Sequence, residues 1–320
     1  MLDAGGRGSF LKAVSNLKEA CGQEEFSRNC MMWARQTNSM IIDFHTHIFP
    51  SFFRNERNLF FNEEPAFETL YRSPKSKLVG RGALLKKMDE DGINQSVIFG
   101  FPWQQPDHFR RHNDYIIESV ERHPDRLIGF CSFAPQSTQA PKEAERCLES
   151  GLSGVGELAI YDPGISSNDI MPFGEIMKIC SHFEVPLLLH TNEPVGGQYP
   201  GKTPLTLNQV YNFLKRYPLN RIVLSHWGGG LFFYTLMKRG VKEVLGNVWF
   251  DTAASPYLYT PDIYRVAVEI IGFGKILFGS DYPLLNPGKY LKEMESANLS
   301  PRSIKGIAGE NAAHLLRLSS

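Results

Sequence analysis

Apolar residues in this chain fall into short continuous runs, separated by longer stretches with helical spacing. Met40-Ile41-Ile42 leads into Asp43-Phe44-His45-Thr46-His47, and further runs cover 95–99, 127–133, 154–157, 186–190, 221–225, 247–250 and 275–278. A strand with one wet face alternates polar and apolar residues, whereas a continuous apolar run marks a strand buried on both faces of a parallel sheet. Between the runs, 82–91, 107–122, 141–150, 172–183, 206–217, 230–239 and 261–271 read as helices. Residues 289–318 read as a helical tail with turns near Ser300 and Gly309. Eight strands, each followed by a helix, predict an α/β protein of the (β/α)8 TIM barrel class.

Two stretches fall outside this alternation. Residues 1–39 form an N-terminal extension, read either as a packed helix over Phe10–Ala20 or as a loosely ordered segment; the barrel with its C-terminal helices takes 40–320. The connection from Ile48 to Gly80 carries Phe49, Phe52, Phe53, Phe60, Phe61, Phe67 and Tyr71 beside Arg54, Arg57 and Arg72. A structureless loop of that length is usually a lid or binding loop, although its aromatics would equally serve to cover the barrel mouth.

Composition narrows the partners. Lys plus Arg and Asp plus Glu both number 34, so the formal net charge is zero, and no long charged block exists. That argues against nucleic acid or an anionic membrane as the main partner and leaves a small-molecule substrate. No run of about 18 apolar residues is present, so no membrane-spanning helix is expected. The five cysteines are odd in number and widely spaced, and they read as reduced thiols of a cytoplasmic protein.

The chemistry sits at the ends of the runs. Residues i and i+2 of a strand share a face, so His45 and His47 project together, and two imidazoles on one rigid face are half of a metal site. Glu157 and His190 end the runs of strands 4 and 5, His226 directly follows that of strand 6, and Asp281 lies three residues past that of strand 8. In a TIM barrel those ends converge on one mouth. The remaining histidines, His108, His112, His123, His182 and His314, fall in helical or flanking segments and are expected at the surface or at helix caps. Three histidines and an aspartate suit a divalent ion, zinc first, with a coordination position left for water. Asp281 would then take that water's proton, and His226 would stabilise charge or protonate a leaving group.

Asp43-Phe-His-Thr-His47, Leu189-His-Thr191, Leu224-Ser-His-Trp-Gly-Gly229, Phe278-Gly-Ser-Asp-Tyr-Pro283 and Gly309-Glu-Asn-Ala-Ala313 resemble the amidohydrolase superfamily. They look most like its amidohydrolase-related branch, which includes aminocarboxymuconate-semialdehyde decarboxylase and the resorcylate decarboxylases. The resemblance implies His45, His47, His190 and Asp281 as metal ligands, and His226 as the catalytic histidine or a ligand to a second ion. Gly154-Val-Gly-Glu157 is similar to the segment carrying a bridging carboxylate in two-metal members such as TatD-type nucleases, so Glu157 leaves the count at one ion or two. No lysine ends strand 4, so a carbamylated-lysine bridge is not expected. Trp103, Asn192, Trp227 and Tyr282 lie beside the expected mouth, as substrate contacts or as packing. Dimers are common among similar proteins, and a homodimer is open to this one.

Three functions compete. The first is a hydrolase in which a metal-activated water attacks an amide, ester or lactone carbon. The alternative is a non-oxidative decarboxylase of a carboxylated small molecule, for which Arg54, Arg57 or Arg72 would grip a carboxylate. A non-catalytic barrel would have lost at least one ligand, and none is missing.

Overall fold

The structure is a computed structural model that describes residues 40–161, 173–237 and 239–318. Eight parallel strands follow one another through a single sheet in chain order. They are β1 (Ile42–His47), β2 (Gln95–Phe99), β3 (Leu127–Cys131), β4 (Gly154–Leu158), β5 (Leu187–Leu189), β6 (Ile222–Leu224), β7 (Val248–Asp251) and β8 (Ile276–Leu277). Backbone bonds close the seam: Phe44 N–H donates to Phe278 O, Asp281 N–H to His45 O and His47 N–H to Tyr282 O, at 2.7, 2.9 and 2.8 Å. The (β/α)8 barrel expected from the apolar runs is the fold. The extension, with its expected helix over Phe10–Ala20, lies outside the described residues.

Ile42, Phe44, Val97, Phe99, Ile128, Phe130, Leu188, Val223 and Leu277 form one buried cluster, joined by Ala312 and Leu315 of the helix Asn311–Leu315. These are the barrel interior and its floor. A larger cluster packs the strands against the surrounding helices.

Two bulges decide what the interior presents at its mouth. Between Asp43/Ser96 and Thr46/Ile98, β1 advances three residues while β2 advances two. The extra residue inverts the pleat, so His45 and His47 take over the inward positions held by Ile42 and Phe44. β4 does the same against β5 between Val155/Leu187 and Leu158/Leu189, around Gly156 and Glu157. Gly156 sits at φ +132, and a Cβ there would lie 2.4 Å from Leu188 O, so the bulge requires glycine.

Two expectations need correction. The 48–80 connection is not structureless: it holds helices Ser51–Asn55 and Pro65–Tyr71 and a 3-10 turn Arg57–Phe60, because its aromatics pack into the core. The helix expected over 230–239 does not form. His226, Trp227 and Gly228 to Gly230 are all left-handed, with φ between 56 and 83, and the segment 226–236 is an irregular 3-10 turn followed by a short helix Arg239–Val244. Gly229 is obligatory there, since a Cβ would meet Asn192 O at 2.3 Å.

Candidate metal centre

The six residues expected at the mouth converge. His45 Nε2 lies 3.3 Å from His47 Nε2, 3.7 Å from Glu157 Oε2 and 3.7 Å from Asp281 Oδ1. His47 Nε2 is 3.4 Å from Asp281 Oδ1 and 3.8 Å from Glu157 Oε2. Across the mouth, Glu157 Oε1 stands 2.9 Å from His190 Nδ1 and 3.5 Å from His226 Nε2, and those two nitrogens are 3.3 Å apart. Glu157 therefore touches all four imidazoles.

The outer nitrogens are anchored on acceptors. His45 Nδ1 faces Asp251 Oδ2 at 2.8 Å, His47 Nδ1 faces Gly100 O at 3.3 Å, and His226 Nδ1 faces Ala253 O at 3.0 Å. An acceptor there requires an N–H on the outer nitrogen, which leaves the lone pair of each neutral ring on the inner Nε2. Lone pairs and two carboxylates converging in a buried space are unfavourable without a cation, and a divalent ion fits this donor set. His190 Nε2 is also buried, with no hydrogen-bond partner among the described residues. Among the described residues two donor triads stand close enough to share an ion: His45, His47 and Asp281, and His45, Glu157 and His226.

Electrostatics agree. Burial alone would push the His45 imidazole down, but the charges of Asp251, Glu157 and Asp281 outweigh it and raise it to about 10. His226 is likewise lowered by burial but raised further by Glu157 and Asp281, to about 9. Burial opposes ionisation of Glu157 and Asp281, yet the imidazoles beside them hold Glu157 well below the usual range and Asp281 at about 2. The cluster attracts positive charge, and protons take that place in the metal-free protein.

Local structure holds these groups. His226 and Asp281 both adopt left-handed backbone, φ 56 and 60, which costs a non-glycine residue about 1–2 kcal/mol. His226 is held there by its N–H to Asp251 Oδ1 at 2.8 Å. Asp281 follows Ser280, whose N–H and hydroxyl both donate to the fully buried Asp43 at 2.9 and 2.5 Å. Burial pushes the Asp43 carboxyl up to about 7 against those bonds.

Other expected residues lie elsewhere. Trp103 and Trp227 are fully buried, with their N–H groups on His112 Nδ1 and Ser255 Oγ, so they pack behind the walls rather than face a substrate. Asn192 is buried and spends its Oδ1 on Thr203, while Tyr282 is half-buried beside Asp281. His112 is not at the surface: it is fully buried between Trp103 and Ile48 O, a consequence of the aromatic cover folding onto its helix. His108 is partly buried against Glu64, whereas His182 and His314 are exposed as expected. Arg54 donates to Phe49 O and Arg57 to the carbonyls of Tyr71, Ser73 and Ser76; Arg72 is exposed and paired with Glu68.

Asp251, Tyr71 and Tyr161 went unnoticed as site residues. Asp251 ends the strand Val248–Asp251, and a carboxylate at the C-terminal end of a strand was the available signal. Burial, then the charges of Asp281 and Glu157, push the Tyr71 phenol up, and its ring lies 6.1 Å from Phe101. The Tyr161 ring lies 6.3 Å from His190 and stacks on Phe101. Neither tyrosine carries a motif.

A closed parallel barrel with histidines and carboxylates gathered at the C-terminal ends of its strands is the architecture of a metal-dependent TIM-barrel enzyme. The sequence model of the amidohydrolase family matches residues 42–318, and the chain is an enzyme of that family. It is 24% identical to a 2-amino-3-carboxymuconate-6-semialdehyde decarboxylase of Dictyostelium discoideum, over 88% of this chain and 92% of that one. It is 26% identical to a gamma-resorcylate decarboxylase of a Polaromonas species, over 66% and 76%. Among solved structures it resembles 5-carboxyvanillate decarboxylase of Novosphingobium aromaticivorans, complexed with manganese and 4-hydroxy-3-methoxy-5-nitrobenzoic acid. That match has a TM-score of 0.72 at 16% identity and covers 88% of this chain and 97% of the other.

Proposed function

We propose that this enzyme is a metal-dependent, non-oxidative decarboxylase acting on a small aromatic or conjugated carboxylic acid. The observation that carries the reading is the ring of inward-facing imidazole nitrogens and carboxylates at the mouth, in a chain whose relatives named above are decarboxylases. The hydrolase reading has less support, because none of those relatives is a hydrolase.

His45, His47, His190 and Asp281 would hold the ion. One ion suits the geometry better than two, because both donor triads draw on the same His45 Nε2, its Nδ1 being spent on Asp251. Mixed nitrogen and oxygen donors suit manganese and zinc alike, and the manganese-containing relative favours manganese over the zinc expected from sequence. When bound, the ion supplies positive charge that holds a substrate carboxylate and stabilises charge spread through the conjugated system.

The chain's own residues do the rest. In the metal-free protein Glu157 and Asp281 raise the His226 imidazole to about 9 against burial, and its ring is fixed by Ala253 O and the backbone clamp on Asp251. It is the acid: its proton goes to the carbon bearing the carboxylate. The C–CO2 bond then breaks, its electron pair restores the conjugated system and CO2 leaves, so RCO2⁻ plus H⁺ gives RH plus CO2. Asp281, ionised down to about pH 2, serves as an acceptor and not as the acid. Tyr71, Phe101 and Tyr161 offer an aromatic wall for a flat substrate.

The test is a panel of aromatic acids, lactones and amides with the manganese-loaded protein, following CO2 evolution and pH-stat proton release in parallel. Decarboxylation predicts stoichiometric CO2 from an acid, with His226→Gln lowering kcat by about 10²–10⁴ while metal content holds. Acid released from lactones or amides without CO2 refutes it.

A further inference from the structure

We propose that Asp251 is a positioning residue that sets the tautomer of His45 and, through its second oxygen, the place of His226. The inference rests on the divalent-ion reading above. Asp251 is fully buried at the end of β7. Its Oδ2 lies 2.8 Å from His45 Nδ1, and its Oδ1 accepts the backbone N–H of His226 at 2.8 Å and of Ala253 at 3.0 Å. One carboxylate thus ties the ends of β1, β6 and β7 together.

With Asp251 Oδ2 as the acceptor at 2.8 Å, His45 carries its proton on Nδ1 and turns its Nε2 lone pair toward His47, 3.3 Å away. Partners of this kind orient metal-ligating histidines and raise their basicity. An asparagine of the same shape keeps Oδ1 on the two backbone amides and turns its NH2 toward His45 Nδ1. Donor would then face donor, and His45 would move its proton to Nε2, the nitrogen whose lone pair would hold the ion.

The experiment is an EPR titration of Mn²⁺ into full-length metal-free wild type, Asp251→Asn and the ligand control His47→Ala, with amide exchange at His226. The expected result is affinity about 10–100-fold weaker in Asp251→Asn. The His226 amide should stay protected there and exchange faster in Asp251→Ala. Wild-type affinity in Asp251→Asn, with His47→Ala impaired, overturns the proposal and leaves the metal reading standing. A wild type that takes up no Mn²⁺ overturns both. Should the variants not fold, ¹⁵N-histidine NMR of zinc-loaded wild type decides alone. A one-bond N–H coupling at His45 Nδ1 supports the assignment, and zinc on Nδ1 refutes it.

Discussion

Replacing His112 by leucine tests how the aromatic cover holds the metal centre. His112 accepts the Trp103 N–H at 2.8 Å and its Nε2–H donates to Ile48 O at 2.7 Å, so both ring nitrogens are used. Ile48 directly follows His47, and the ring thereby fixes the exit of β1. Leucine fills a similar volume but leaves one buried N–H and one buried carbonyl unpaired. At about 1–3 kcal/mol each, the loss is about 2–6 kcal/mol at pH 8. Burial keeps His112 neutral, lowering its pKa from 6.5 to about 3. A depressed histidine favours the folded state above 6.5, and that contribution is lost as pH falls toward 3. Wild type therefore loses about 1.4 kcal/mol per pH unit below 6.5 that the variant does not, and at pH 5 the gap narrows by about 2 kcal/mol. Titrations common to both proteins cancel in the difference. The assay is urea unfolding of metal-free wild type and His112→Leu at pH 8 and pH 5, comparing midpoints at constant slope. A gap that stays constant or widens at pH 5 refutes the neutral, doubly bonded ring.

Three further outcomes follow from the site. Glu157→Gln leaves four imidazoles without their shared carboxylate, so the metal-free protein should lose about 3–5 kcal/mol at pH 7 in urea unfolding; a loss below 1 kcal/mol would rule out that role. In the metal-free protein His45 and His226 gain stability from protons that is complete below 6.5 and lost as pH rises through about 9 and about 10. An ion held on His45 must displace the His45 proton, so Mn²⁺ affinity should rise with pH between 6.5 and 10, and titration heats should depend on the buffer's ionisation enthalpy; buffer-independent heats contradict this. Gly156→Ala puts a Cβ against Leu188 O at positive φ, and an unfolding cost of about 3 kcal/mol with weakened Mn²⁺ binding is expected. Unchanged stability would show that the β4 bulge tolerates a side chain.

The linear chain by itself determined the barrel and six of its mouth residues. Short continuous apolar runs alternating with helical stretches mark strands covered on both sides, and parallel strands in a barrel bring their C-terminal ends together, so polar residues at or just past the ends of five runs were enough to gather His45, His47, Glu157, His190, His226 and Asp281. Tertiary structure decided the rest. The β1 and β4 bulges depend on pairing register, which no single strand carries. Asp251 gained its role only because the closed barrel brings the end of β7 within side-chain reach of His45 on β1 and of the backbone after β6, and His112 was buried only when residues 48–80 folded onto its helix. The glycine run after His226 became a left-handed turn rather than a helix start because Asn192 O and Phe250 leave no room for side chains there. Periodicity records which face of an element is covered; a contact between distant elements leaves no period, and these residues are defined by such contacts.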